Sequence, residues 1–138
     1  MPTKIYKGSC HCGEVRFEAN MDLSKGTKRC NCSICFKSRA WFAIVPAKQV
    51  RILAGKMALS DYQWTAPGKS EPHVHYRFCR TCGVRAFAYG EPPQAEPFYA
   101  IAISTLDNAD PDVLEAPIQY VDGRHDRYDR APADTRAL

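Results

Sequence analysis

Arg29-Cys30-Asn31-Cys32-Ser33-Ile34-Cys35 is the stretch around which the chain is organised, because it places three cysteines within six positions. Such a density of thiols is hard to explain by packing and is typical of a metal site. Three cysteine ligands leave the fourth position of a tetrahedral zinc ion open to water or a substrate. We call Cys30, Cys32 and Cys35 the triplet, and it is the candidate functional site.

The other four cysteines, called the quartet, form two short pairs: Cys10 with Cys12, and Cys79 with Cys82. Four cysteines complete a tetrahedral zinc ion and leave no position for chemistry, so the quartet predicts a structural site. Metal binding across so long a loop converts binding energy into folding energy. A rival partition, Cys10 and Cys12 with Cys30 and Cys32, stays open at this point.

Length and composition indicate one globular domain. The chain has 138 residues, of which 45% are hydrophobic and 25% are charged, and these are ordinary values for a folded protein. A net charge of +4 without a block of Lys or Arg is compatible with an anionic small molecule. It gives little support for a nucleic-acid surface, and nucleic acid is not an expected partner.

The N-terminal stretch lacks the apolar run of a secretory signal, and no segment approaches the roughly 18 apolar residues of a membrane span. We therefore expect a cytoplasmic protein without membrane association. In a reducing compartment, an odd number of cysteines is better explained by thiols or metal ligands than by disulfides.

Short apolar runs separated by turns predict a mainly β barrel or sandwich with one or two short helices. We expect a single domain over residues 1–122. The Arg- and Asp-rich tail at residues 123–138 is predicted to be mobile unless it packs over the site.

Local patterns predict how the cysteines are presented. A strand through Cys10 and Cys12 would put both sulfurs on one face and His11 on the other. A helix is predicted over Ser33–Arg39, starting near Cys32. Cys79–Gly83 has the form of a zinc knuckle, in which Gly83 supplies a positive φ.

The triplet favours thiol chemistry over water activation. Three thiolates leave a zinc complex negatively charged and weaken its Lewis acidity. A thiol entering the open position would be deprotonated and could attack a small electrophile. Lys37 and Arg39 are candidate cations for the thiol ligand, although they could also be solvated helix charges. Alternatively, His11, His73 or His75 completes the triplet as a second structural site.

Three motifs resemble the glutathione-dependent formaldehyde-activating enzyme and centromere protein V family in their order and spacing: Gly8–Gly13, Cys30–Cys35 and Phe78–Gly83. Ser104–Asp107 also resembles a family segment, and the likeness covers about residues 5 to 122. The stretch from Cys30 to Pro46 is most similar to the centromere protein V branch.

The resemblance implies an Mss4-like β-tent fold of short antiparallel strands with two zinc ions. It implies that Cys10, Cys12, Cys79 and Cys82 hold the structural zinc, and that the triplet holds the zinc approached by glutathione. It also implies a carbon–sulfur lyase-type activity, in which the glutathione thiol and formaldehyde form S-hydroxymethylglutathione. The expected partners are therefore a small thiol and an aldehyde; oligomeric state is left open.

One departure from the family concerns Phe36–Trp41, which is bulkier and more apolar than the basic, glycine-containing segment of many members. This difference suggests an altered thiol pocket and an electrophile larger than formaldehyde. Two other functions remain in view: a thiol or glutathione carrier without turnover, and a zinc-stabilised interaction module.

Overall fold

Ten strands lie within residues 3–138, the part of the chain that the computed structural model describes. They are β1 (Lys4–Ser9), β2 (Arg16–Met21), β3 (Thr27–Cys30), β4 (Trp41–Pro46), β5 (Val50–Ala54), β6 (Leu59–Gln63), β7 (Val74–Cys79), β8 (Phe87–Gly90), β9 (Phe98–Ala102) and β10 (Ile118–Val121). The predicted mainly β class is confirmed.

Helices are short and few. Two α-helices are present in the described chain, α1 (Ser33–Ser38) and α2 (Asp112–Glu115). Single turns of 3-10 helix occur at Leu23–Lys25, Ala47–Gln49, Lys56–Ala58, Ile103–Thr105 and Gly123–His125. No helix in this part of the chain combines the length and the apolar character needed to cross a membrane.

The strands form two sheets. The smaller sheet has the order β1-β2-β5, and the larger one has the order β10-β3-β4-β9-β8-β7-β6. Neighbouring strands are antiparallel except β10 and β3, which are parallel. The parallel pair matters for function, because it carries the C-terminal chain to the same end of the sheet as the triplet.

The core lies between the two sheets. Phe17 of the small sheet is fully buried and meets the ring of Phe87 edge-on at 5.7 Å. The strand period places Val45 and Ile101 of the large sheet on the same buried face. Gly8 is required beside Phe17, since a Cβ there would lie 2.3 Å from the ring. The opposite face of the large sheet is left outside this core.

We predict that Phe17→Ala lowers the free energy of unfolding by about 3–5 kcal/mol, because it removes the largest contact between the sheets. Met57→Ala is the control, because Met57 is 87% exposed and its truncation should change stability by less than about 0.5 kcal/mol. Urea denaturation of the zinc-loaded proteins measures both. Equal losses in the two variants would contradict this description of the core.

Candidate metal centres and the adjoining cleft

The quartet sulfurs meet at one end of the interface between the sheets. All four lie within 4.8 Å of one another, with Cys10 and Cys12 Sγ 3.6 Å apart and Cys12 and Cys79 Sγ 3.7 Å apart. Cys10 follows β1 of the small sheet, and Cys79 ends β7 of the large one. A metal held here would therefore tie the two sheets together. The sulfurs group as four and three, not as the rival partition proposed.

The predicted strand through Cys10 and Cys12 is wrong, because β1 ends at Ser9 and a turn follows. The Cys10 N–H donates to the Val15 carbonyl at 3.0 Å, and the Gly13 N–H donates to the Cys10 carbonyl at 3.1 Å. These bonds fold the backbone back within a few residues. The two sulfurs thus converge through a turn, and not through the two-residue period of a strand.

The second pair is held by a similar turn, as the knuckle prediction required. The Cys79 N–H donates to the Val84 carbonyl at 3.1 Å, and the Gly83 N–H donates to the Cys79 carbonyl at 2.7 Å. Gly83 has a φ of +77°, which confirms its predicted role in the turn. Hydrogen bonds from the backbone N–H groups of Cys12 and Val84 lower the pKa of Cys82 to about 6, which favours the thiolate that a metal needs.

The triplet is presented by the end of a strand and the start of a helix. Cys30 is the last residue of β3, Cys32 is the N-cap of α1, and Cys35 lies in the helix. Their sulfurs lie within 4.8 Å of one another. The helix predicted over Ser33–Arg39 is confirmed over Ser33–Ser38, and Arg39 ends it in the left-handed region with a φ of 54°.

Hydrogen bonds inside the triplet concentrate negative charge on one sulfur. The thiols of Cys30 and Cys35 donate to Cys32, and together with backbone N–H groups they lower the pKa of Cys32 to about 3. Hydrogen bonds with Cys30 and then with Cys32 raise the pKa of Cys35. Thiolate sulfur is a zinc ligand in closed structural sites and in some open sites. The two clusters use all seven cysteines, and both fit a zinc ion.

No histidine or carboxylate of residues 3–138 joins the triplet within that distance. His75 contacts Asp61 at 2.7 Å through Nδ1, and His11 is exposed in the first cysteine turn. His73 lines the cleft described below. In this structure the triplet is therefore a three-sulfur cluster without a fourth protein ligand.

A hydrogen-bonded clasp, missed in the sequence, joins the C-terminal tail to the triplet. Asn31 donates through Nδ2 to the buried carboxylate of Asp122 at 2.8 Å, and its Oδ1 accepts from the Arg124 N–H at 2.9 Å. His125 Nδ1 lies 2.9 Å from the same carboxylate. Because β10 pairs in parallel with β3, with Val121 opposite Cys30, the chain emerges directly beside the triplet.

The tail packs over the triplet. The sequence predicted a mobile tail unless such packing occurred, and its mobility itself stays a prediction. Gly123 is required at the contact, because a Cβ there would lie 2.5 Å from Cys30 Sγ. The Arg39 guanidinium donates to the Ala137 carbonyl near the end of the chain.

Two tyrosines flank the triplet. Burial, followed by the negative charge of Cys30, raises the pKa of Tyr128 to about 12. Burial also raises the pKa of Tyr76 in β7, and the charge of Cys35 adds to the effect. Both phenols therefore stay protonated at neutral pH and are available as hydrogen-bond donors. The sequence did not identify either residue, because Tyr76 is one of several aromatic residues in the strands and Tyr128 lies in the polar tail.

A cleft of about 1260 Å³ opens from the triplet across the uncovered face of the large sheet. Its floor comes from alternate residues of β4, β9, β8 and β7, and most of its lining is apolar or aromatic. The sequence carried a signal for it, because β4 is apolar at successive positions instead of alternating. In this structure one face of β4 packs in the core and the other lines the cleft.

Basic side chains stand around the triplet end of the cleft. The predicted thiol contacts Lys37 and Arg39 both line it and are exposed. Arg85, not identified from the sequence, lines it as well; its Nη2 donates to Ser38 Oγ at 2.9 Å, and its guanidinium lies 5.1 Å from the Tyr76 ring centroid. Arg39 is engaged by the tail, so Lys37 and Arg85 are the freer cations.

We predict that Asp122→Ala releases the tail, because it leaves the Asn31 side-chain amide and the His125 ring without the carboxylate that they contact. A loss of about 1.4 kcal/mol would speed amide hydrogen exchange over residues 124–138 by about tenfold. Asp129→Ala is the control, since the Asp129 side chain is 73% exposed and pairs only with Arg130. Unchanged exchange in Asp122→Ala would show that the clasp does not hold the tail.

Comparison with known proteins agrees with this geometry. A family model for the glutathione-dependent formaldehyde-activating enzyme matches residues 5–121, which include both cysteine clusters. A Rhodobacter sphaeroides protein of known crystal structure shares 26% sequence identity with this chain. The two structures superpose with a TM-score of 0.66, over 83% of this chain and 99% of that one. The chain therefore belongs to the glutathione-dependent formaldehyde-activating enzyme family.

Proposed function

We propose that the protein is a zinc-dependent carbon–sulfur lyase-type enzyme. It binds glutathione or a similar small thiol at the triplet and forms or cleaves S-hydroxymethyl-type adducts. Its place of action is the cytoplasm, where thiols stay reduced. The observation that carries the proposal is a three-sulfur cluster, without a fourth ligand among the described residues, at the end of a cleft large enough for a tripeptide.

Zinc held by the triplet would supply an open coordination position at which an incoming thiol loses its proton. The reaction is an addition. The thiol sulfur forms a bond to the aldehyde carbon as the carbonyl π bond breaks, and the thiol proton ends on the oxygen. Atoms balance without an oxidant or reductant, and cleavage is the reverse.

Arg85 and Lys37 are the residues proposed to bind the carboxylates of glutathione. Arg85 is half-buried, and its contacts with Ser38 and Tyr76 fix its orientation. A guanidinium held in this way forms bidentate contacts with a carboxylate at low entropic cost. Lys37 is exposed and supplies charge more than geometry.

Tyr76 and Tyr128 are proposed to donate hydrogen bonds to the oxygen of the aldehyde. Both are protonated donors beside the triplet, one from the sheet and one from the tail. A phenol donor stabilises the negative charge that develops on the carbonyl oxygen as the sulfur adds. This arrangement gives the tail a function in positioning as well as in covering the site.

We predict that Cys35→Ser leaves the fold intact and lowers the zinc content from two ions per chain to one, because it damages only the triplet. Cys79→Ser should unfold the protein or strip it of metal, since it breaks the link between the sheets. Circular dichroism and elemental analysis measure the two effects. Equal collapse of both variants would contradict this division of roles.

A second prediction concerns Arg85. Arg85→Ala should raise the KM for glutathione by about tenfold, the effect of losing a charge-assisted hydrogen bond of about 1.4 kcal/mol. The KM for 2-mercaptoethanol, which has no carboxylate, should not change. Arg51→Ala is the control, because the Arg51 side chain is 76% exposed and pairs with Glu18 on the small sheet.

Exchange spectroscopy by NMR measures the rate at which each thiol adds to formaldehyde, and its dependence on thiol concentration gives the two KM values. A similar KM change for both thiols would contradict the carboxylate role of Arg85. Stoichiometric binding of glutathione without any acceleration of exchange would instead establish the carrier function.

A further inference from the structure

The cleft is far larger than a one-carbon aldehyde needs. Formaldehyde has two heavy atoms and requires a volume of the order of the ~30 Å³ that a water molecule occupies. The cleft has about 1260 Å³, above the roughly 300–1,000 Å³ typical of small-molecule sites. In the proposed function, glutathione occupies the end of the cleft that contains the triplet and the basic side chains. The apolar part of the cleft is then left unoccupied.

The floor of that remainder is a valley across four strands. Ala100 of β9 and Ala88 of β8 are paired in register and form its bottom. Ile44 of β4 pairs with Ala100 on one side, and Tyr76 of β7 pairs with Ala88 on the other. Strands lie about 4.8 Å apart, so the two walls are about 14 Å apart at the backbone.

An aromatic ring fits between these walls. Ring pairs prefer centroid distances of about 4.5–7 Å, which lets a ring stack on Tyr76 and still leaves room for Ile44. Tyr62 continues the wall beyond Tyr76, with its ring centroid 6.4 Å away. The two small alanines leave the space that larger side chains would fill.

The valley runs from the triplet to Phe98. Cys30 lies one residue beyond the Arg29–Trp41 pair, at the end of the sheet where β9 reaches Ala102. At the other end the Phe98 ring lies across Gly90, where a Cβ would be 2.4 Å from it. An adduct with its sulfur at the triplet would therefore extend its carbon group along the alanine floor.

The walls of this surface are exposed, whereas Ala88 on its floor is only 6% exposed and the segment between β6 and β7 adds Trp64 and His73 to the lining. Ile44 is 47% exposed and Tyr62 is 51% exposed, although both belong to the apolar wall. The face is concave and continuous with a thiol site, features that fit a ligand better than a second copy of the chain. A contiguous exposed apolar surface of this kind is typical of a ligand-binding groove.

We propose that the cleft binds thiol adducts of bulky, apolar aldehydes, aromatic aldehydes above all. The sulfur lies at the triplet, the carboxylates lie near Arg85, and the carbon group lies on Ala88 and Ala100. This proposal rests on the proposed function at the triplet. The chemistry is the same balanced addition: a C–S bond forms, the carbonyl π bond breaks, and the thiol proton ends on the oxygen.

The test compares two stable thioethers that share the glutathione part, S-(naphthylmethyl)glutathione and S-methylglutathione. Calorimetry on the zinc-loaded protein should give the naphthylmethyl compound an affinity at least about tenfold higher. Ile44→Gln should reduce this advantage severalfold. Leu53→Gln is the matched control, because Leu53 is also 47% exposed but lies on the small sheet away from the cleft.

Ala100→Phe gives a second test, since its ring would occupy the floor. It should lower the affinity for the naphthylmethyl compound to about that for S-methylglutathione, and thermal melting would show whether the variant folds. Equal affinities in the parent protein would overturn this inference and leave the proposed function intact. Failure of both compounds to bind would also overturn this inference, whereas the proposed function is tested separately by the binding of glutathione itself, which keeps its thiol. A dimer in sedimentation that Ile44→Gln dissociates would assign the face to a second copy.

Discussion

The convergence of four thiols from two turns is the constraint on which the rest of the structure depends. Cys12 and Cys79 are 67 residues apart in sequence, yet their sulfurs lie 3.7 Å apart. One turn joins β1 and β2 of the small sheet and the other joins β7 and β8 of the large sheet, so a metal here would fix how the sheets pack around Phe17. The core between the two sheets covers only one face of the large sheet. The other face lies outside this core and forms the cleft.

The functional site depends on a different device, the parallel pairing of β10 with β3. It brings Asp122 beside Asn31 and lays the tail across the triplet, where Gly123 lies against Cys30 and Tyr128 lies close enough for the cysteine charges to raise its pKa. The family match ends at Val121, just before these contacts begin. The candidate metal ligands thus come from the part of the chain that matches the family, whereas the covering of the triplet comes from the residues that follow.

The sequence was most informative where chemistry demands particular residues at a particular spacing. The two cysteine clusters and helix α1 followed from ligand spacing and from a short helical pattern. The path of Cys10 and Cys12 did not, because a tight turn brings two sulfurs together as well as a strand does. Asn31 and Asp122 are 91 residues apart, and the role proposed for Arg85 depends on its contacts with Ser38 and Tyr76. Only tertiary structure reveals such partners, and the cleft was not predicted, although the consecutive apolar residues of Phe42–Val45 are a signal that could have indicated it.

The central claim is that the quartet is closed and the triplet is open. X-ray absorption at the zinc edge tests it most directly, because it counts sulfur neighbours at about 2.3 Å. Seven cysteine sulfurs shared by two ions predict an average of about 3.5 sulfur neighbours per zinc, rising to about 4 when excess glutathione is added. Two zinc ions per chain with four sulfur or histidine ligands each, unchanged by glutathione, would contradict the account.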